Sequence, residues 1–119
     1  MNTSVSLELA KCLKDKGINF PCEKRYNELG ELTATKLDMN MQPNNYSNSY
    51  AAPTIFEVVM WIYKKHEFWC YTYTNGKIWH PCIQHKFGDM AVLSGKIGNY
   101  NSPEESFEAA IKYCLTELI

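Results

Sequence analysis

The segment from Phe68 to Ile83, FWCYTYTNGKIWHPCI, sets two alternating, aromatic-rich runs on either side of Asn75-Gly76. A type I′ turn needs positive φ at both central residues, and Asn-Gly tolerates this best, so the pattern predicts a two-residue β-hairpin. That turn would pair Tyr73 with Ile78, Tyr71 with His80 and Trp69 with Cys82. Alternation then places Trp69, Tyr71, Tyr73, Ile78, His80 and Cys82 on one face, and Phe68, Cys70, Thr72, Trp79, Pro81 and Ile83 on the other. Both faces are partly apolar, so one suits helix packing and the other needs a loop, a partner chain or solvent. Pro81 has no N–H to give a ladder, which predicts an edge position or a bulge for the second strand.

The flanking segments carry helix signals. Val5 to Lys16 places Leu9, Cys12 and Leu13 on one stripe, with Gly17 as the C′ residue. Lys14 and Lys16 complement the dipole of that last turn rather than forming a binding patch. Ile18 to Tyr26 reads as extended and is interrupted by Pro21. Leu37, Met39 and Met41 alternate with polar residues, predicting a strand from about Thr33 to Met41. Gln42 to Ala52 is rich in Asn and Ser and reads as a loop. Thr54 and Glu57 form a capping box that opens a helix to His66, with Ile55, Val58, Val59 and Ile62 on its apolar face and Trp61 in the core. Phe87 to Asn101 suggests a short third strand and a turn. Ser102-Pro103-Glu104-Glu105 is a second capping box with proline at N1. Beyond it, Phe107, Ala110, Ile111, Cys114, Leu115 and Leu118 form an amphipathic stripe, with Cys114 as a small core hydrophobe. The expected fold class is α+β: three helices packed on a small antiparallel sheet centred on the Asn-Gly hairpin, in one domain over residues 1–119.

The composition allows such a fold. A chain of 119 residues, 45% hydrophobic and 21% charged, can bury a core without disulfides or metal. A formal charge of -1 supplies no general attraction to phosphate backbones or anionic lipid. Val58 to Tyr63, the most apolar run, falls far short of the roughly 20 residues that span a bilayer, so no membrane partner is expected. The amino terminus lacks a secretory pattern, and the five cysteines are odd in number without framework spacing. Both point to reduced thiols and a cytoplasmic protein.

His80-Pro81-Cys82-Ile83-Gln84-His85 holds the densest set of chemically capable side chains. On a strand, His80 and Cys82 share a face about 6.6 Å apart, a spacing that two ligands of one zinc could use. Cys22 and His85 are the candidate additional ligands, but no C-x-x-C knuckle is present. A histidine beside Cys82 also supplies the minimum for a thiolate nucleophile, without an orienting carboxylate or an evident oxyanion hole. Gly95-Lys96 fails the phosphate-loop pattern, and Glu104 and Glu105 suit a helix amino terminus. No catalytic residue or cofactor is therefore assigned. Trp69, Tyr71, Tyr73 and His80 form the candidate partner-binding set. Such rings can stack nucleobases, but the chain has no basic footprint for nucleic acid.

Three further stretches carry a family resemblance: Phe20-Pro21-Cys22; Ala52-Pro53-Thr54 with Trp61-Ile62-Tyr63-Lys64-Lys65-His66; and Glu104-Glu105 with Ala109-Ala110 and the terminal Leu118-Ile119. In these the chain resembles a group of small uncharacterised proteins encoded by phages and prophages of gut Bacteroidetes. That group shows an A-P-T helix start, a W-[LIF]-[RY]-x-K-H helix end, an aromatic hairpin and a closing helix rich in Glu and Ala. The resemblance implies a mobile-element origin and carries over no activity, cofactor or functional residue. The leading expectation is a non-enzymatic, phage-related accessory or interaction protein that binds a protein partner or a second copy through the aromatic hairpin face. The alternatives are a metal-binding or cysteine-dependent enzyme using His80 and Cys82, and a binder of single-stranded nucleic acid. Exposure of the hairpin faces discriminates among them.

Overall fold

Serine and glycine punctuate the first helix. In the computed structural model, which describes residues 3–20, 23–34, 49–86, 88, 90–93 and 97–119, α1 spans Leu7–Asp15. The Ser6 hydroxyl accepts from Leu9 N at 3.2 Å and caps its start. At its end, Gly17 takes φ 73°, its N–H donates to Lys14 O, and Ile18 N–H donates to Leu13 O. This is a Schellman closure, which glycine adopts without the Cβ penalty. The helix begins two residues later than the sequence suggests because Ser6 caps it. Val5 instead lies before the helix and is buried, donating its N–H to Pro53 O at 2.9 Å.

The chain divides into two compact units, Met1–Thr54 and Ile55–Ile119. In the first, β1 (Lys24–Tyr26), β2 (Leu32–Ala34) and β3 (Tyr50–Ala51) form an antiparallel sheet in the order β2-β1-β3. Asn27 closes the β1–β2 connection with its side chain, Oδ1 accepting from Leu29 N and Glu31 N. Of the strand predicted from Thr33 to Met41, Thr33 and Ala34 lie in β2, and residues 35–41 fall outside the described residues. The predicted Gln42–Ala52 loop requires correction at its end. Tyr50 and Ala51 pair with Tyr26 and Arg25, and Ala52 N donates to Lys24 O. Lys14, expected only to complement a helix dipole, donates to Ser49 O at 2.9 Å and lies over the Tyr50 ring. It thereby ties α1 to β3. Tyr26 Oη adds a 2.7 Å donation to Val5 O.

In the second unit, α2 (Ile55–His66) buries the predicted Ile55, Val58, Val59 and Ile62. Trp61, predicted to be core, is only half-buried, with its ring 5.4 Å from that of His66. Glu67 ends the helix at φ 63°, a left-handed conformation that costs a residue with a Cβ about 1 kcal/mol. It holds the start of β4 (Phe68–Thr74) by accepting Lys86 N at 3.0 Å. β4, β5 (Trp79–His85) and β6 (Met90–Val92) form an antiparallel sheet in that spatial order. Thus α1 packs against β3 in the first unit, while α2 and a closing helix, α3 (Pro103–Tyr113), pack on the sheet that holds β4 and β5.

Two features of β4–β5 depart from the predicted hairpin. Tyr73 pairs with His80, Tyr71 with Cys82 and Trp69 with Gln84, so the connection is four residues long rather than two. Gly76 has positive φ but Asn75 does not, which rules out a type I′ turn. Asn75 uses its side chain instead, Oδ1 accepting from Lys77 N and Ile78 N at 3.2 Å. Thr74 Oγ1 donates to Ile78 O and accepts from Gly76 N. The shift is by two residues, so every paired side chain keeps its predicted face.

Secondly, β5 is central rather than at an edge. Pro81 is tolerated because its carbonyl still accepts from Leu93 N at 2.9 Å. Its missing donor falls between the last β6 pair, Cys82 with Val92, and the Trp79–Tyr100 bridge.

α3 (Pro103–Tyr113) starts as predicted, with Ser102 Oγ accepting from Glu105 N at 3.2 Å and Pro103 in the first turn. A π-helical turn, Cys114–Leu118, follows. Its five-residue hydrogen-bond spacing rotates Leu118 off the apolar stripe, leaving it 41% exposed where the 3.6-residue period predicts burial.

Candidate functional site: an open aromatic sheet face

Alternation along β4 and β5 produces two faces with different covers. On one, Cys70, Pro81 and Ile83 are buried. There Thr72 Oγ1 shares a short hydrogen bond with Ser106 Oγ of α3, and Cys70 is fully buried, as is Cys114 at the end of that helix. On the other, Trp69 is 36% and Tyr73 43% exposed, Gln84 is exposed, and Tyr71 and His80 are half-buried. All four predicted partner-binding residues, Trp69, Tyr71, Tyr73 and His80, therefore share one face.

The rings are organised. Tyr73 stacks on His80 with centroids 4.7 Å apart and planes 26° apart. Trp69 meets Tyr63 of α2 edge-on at 5.2 Å, and Tyr63 is itself 38% exposed. Tyr63 extends the aromatic surface, and the sequence reading missed it. Its position shares no periodicity with β4, so only the α2–β4 packing reveals it. None of the face positions 69, 71, 73, 80, 82 and 84 carries a formal charge.

His80 and Cys82 share a face as predicted. The Cys82 thiol donates to the His80 carbonyl at 3.4 Å rather than engaging its ring. Burial pushes that thiol above its ordinary value, whereas a thiolate nucleophile needs the opposite shift. His80 Nδ1 is buried with no hydrogen-bond partner among the described residues. Imidazoles that bind metal or move protons are ordinarily fixed by a second-nitrogen partner. His85 turns to the opposite face against Phe68, with rings 5.0 Å apart, and Cys22 lies outside the described residues. No group of three or more His, Cys, Asp or Glu able to hold a metal ion occurs among the described residues. No helix among them is long and apolar enough to cross a membrane.

Comparison with protein-family models, with curated proteins and with solved structures returns no match.

Proposed function

We propose that this is a non-enzymatic accessory protein of the phage-related group it resembles, acting in the cytoplasm by docking through the aromatic face of β4 and β5. The observation carrying this reading is the exposure of Trp69, Tyr73 and Tyr63 on the side of the sheet away from α3. Aromatic residues with little charge around them are the composition of interface centres, and contiguous exposed apolar patches usually serve association. A second copy of the chain is the occupant that the neutral face favours. A face without formal charge meets its own copy without like-charge repulsion.

Sedimentation velocity of the full chain over a range of concentrations tests this directly. Association that weakens on dilution and is lost in Trp69→Lys and Tyr73→Lys, both retaining the wild-type circular dichroism, supports the proposal. A monomer at every concentration overturns self-association. A dimer indifferent to both substitutions removes the aromatic face from the interface.

A further inference from the structure

Asn75 and Gly76 are exposed in the β4–β5 connection, and theirs is the one Asn-Gly step in the sequence. The Asn75 carboxamide is held by its oxygen, Oδ1 accepting from Lys77 N and Ile78 N at 3.2 Å. The Gly76 N–H donates to Thr74 Oγ1 at 3.0 Å, and that hydroxyl donates to Ile78 O. A Cβ at Gly76 would meet nothing within 4 Å, so the main chain there is open to water. We propose that this connection is a site of self-modification: Gly76 N closes on the Asn75 side chain, releases ammonia and leaves aspartate or isoaspartate at position 75.

In the first step the Gly76 nitrogen gives its proton to water or hydroxide and forms a bond to Asn75 Cγ. The electron pair of the carbonyl moves onto Oδ1, where the two N–H groups already directed at that oxygen stabilise the charge that develops. When the pair returns, the bond from Cγ to the side-chain nitrogen breaks, and that nitrogen takes a proton and departs as ammonia. A cyclic imide then joins positions 75 and 76. Water opens it at either carbonyl. Breaking the bond from the imide nitrogen to Cγ gives aspartate in an unchanged main chain. Breaking the bond to the main-chain carbonyl carbon gives isoaspartate, whose chain runs on through the former side chain. Overall one amide and one water become one carboxylic acid and one ammonia, with no oxidant or reductant.

Asn27 supplies an internal comparison. Its Oδ1 is held in the same way, by Leu29 N at 2.9 Å and Glu31 N at 3.0 Å, but Glu28 follows it. The Cβ of Glu28 crowds the approach of its nitrogen to Cγ, and glycine is free of that obstruction. The polarised carbonyl is thus shared by both asparagines, while the unhindered nucleophile belongs to position 76 alone. The product changes the loop. Its carboxylate adds a negative charge to a chain of formal charge -1, and isoaspartate inserts a main-chain carbon between β4 and β5.

The full chain, folded or in guanidinium chloride, is incubated at mildly alkaline pH and followed by ammonia release, isoelectric focusing and peptide mapping that distinguishes isoaspartate from aspartate. We expect an acidic species modified at position 75 and not at position 27, with isoaspartate the larger product. The folded rate should exceed the denatured rate by about threefold or more, since denaturant keeps the Asn-Gly step and removes the donors to Oδ1. Asn75→Asp should abolish the fast release of ammonia. A folded rate that fails to exceed the denatured one by that margin overturns the proposal. Modification led by another asparagine overturns it too, as does a product that is aspartate alone, the mark of direct hydrolysis. The comparison uses the wild-type chain in both states, so it decides the matter without a variant.

Discussion

On one face of the second sheet Cys70, Pro81 and Ile83 are buried on the side that α3 covers, whereas on the other Trp69, Tyr73 and Gln84 stay exposed, although both sets come from the same two strands. Alternation decides which residues travel together. Cover is decided elsewhere, by contacts such as Thr72 with Ser106 that join residues far apart in sequence. Cys82 refines the contrast: it belongs to the open face yet is fully buried, a short side chain shaded by longer neighbours. Openness is thus a property of the rings that stand above the strand, not of the whole surface.

The sharpest way to break the contrast is to truncate the covered face. Ile83→Ala should lower unfolding stability by about 3 kcal/mol, because it removes buried methyl groups and leaves a cavity under the helix-covered side. Urea denaturation of the full chain measures this. A loss below about 1 kcal/mol would mean that the site collapses freely and is not a close-packed core.

A pH scan sharpens the same comparison using one thiol from each face. Burial raises the Cys82 thiol, and the neighbouring Cys114 together with burial raises that of Cys70. Protons therefore leave the unfolded chain before the folded one as pH rises above the ordinary thiol value of 9.0. Stability is present below that value and falls above it, by at most about 1.4 kcal/mol per pH unit for each thiol. Thermal denaturation from neutral to alkaline pH should show the decline, with a shallower slope in Cys82→Ala. A slope unchanged by that substitution would show that the open face exposes its thiol to solvent.

Sequence made the faces legible better than the connections. The stripe from Phe107 to Leu115 and the apolar positions of α2 follow from helical periodicity, and the face assignment of β4 and β5 survived because a two-residue register shift preserves parity. The turn itself was misread since asparagine has two uses. It can adopt positive φ, or it can close a loop through its side chain, and both Asn27 and Asn75 do the latter. The central position of β5 was hidden because it depends on pairing with β6 and on Tyr100, neither of which leaves a mark near Pro81. Tyr63 beside Trp69 was hidden for the same reason. Local pattern carries orientation, whereas proximity between elements is a tertiary property.

The smallest expected effect tests the open face itself. Tyr73 is 43% exposed, and its defined ring partner is His80, stacked at 4.7 Å. Tyr73→Ser should therefore cost about 1 kcal/mol, the scale of an aromatic pair beyond simple burial. His80→Ser should cost a similar amount, and the double variant should lose less than the sum because both substitutions remove the same contact. Measured by urea denaturation under conditions where the chain is monomeric, these values separate intramolecular packing from association. If Tyr73→Ser instead costs as much as Ile83→Ala, Tyr73 is a core residue and the face is closed within the monomer. A small loss of stability with loss of association leaves the rings spare for a partner, and that is the outcome the contrast between the two faces requires.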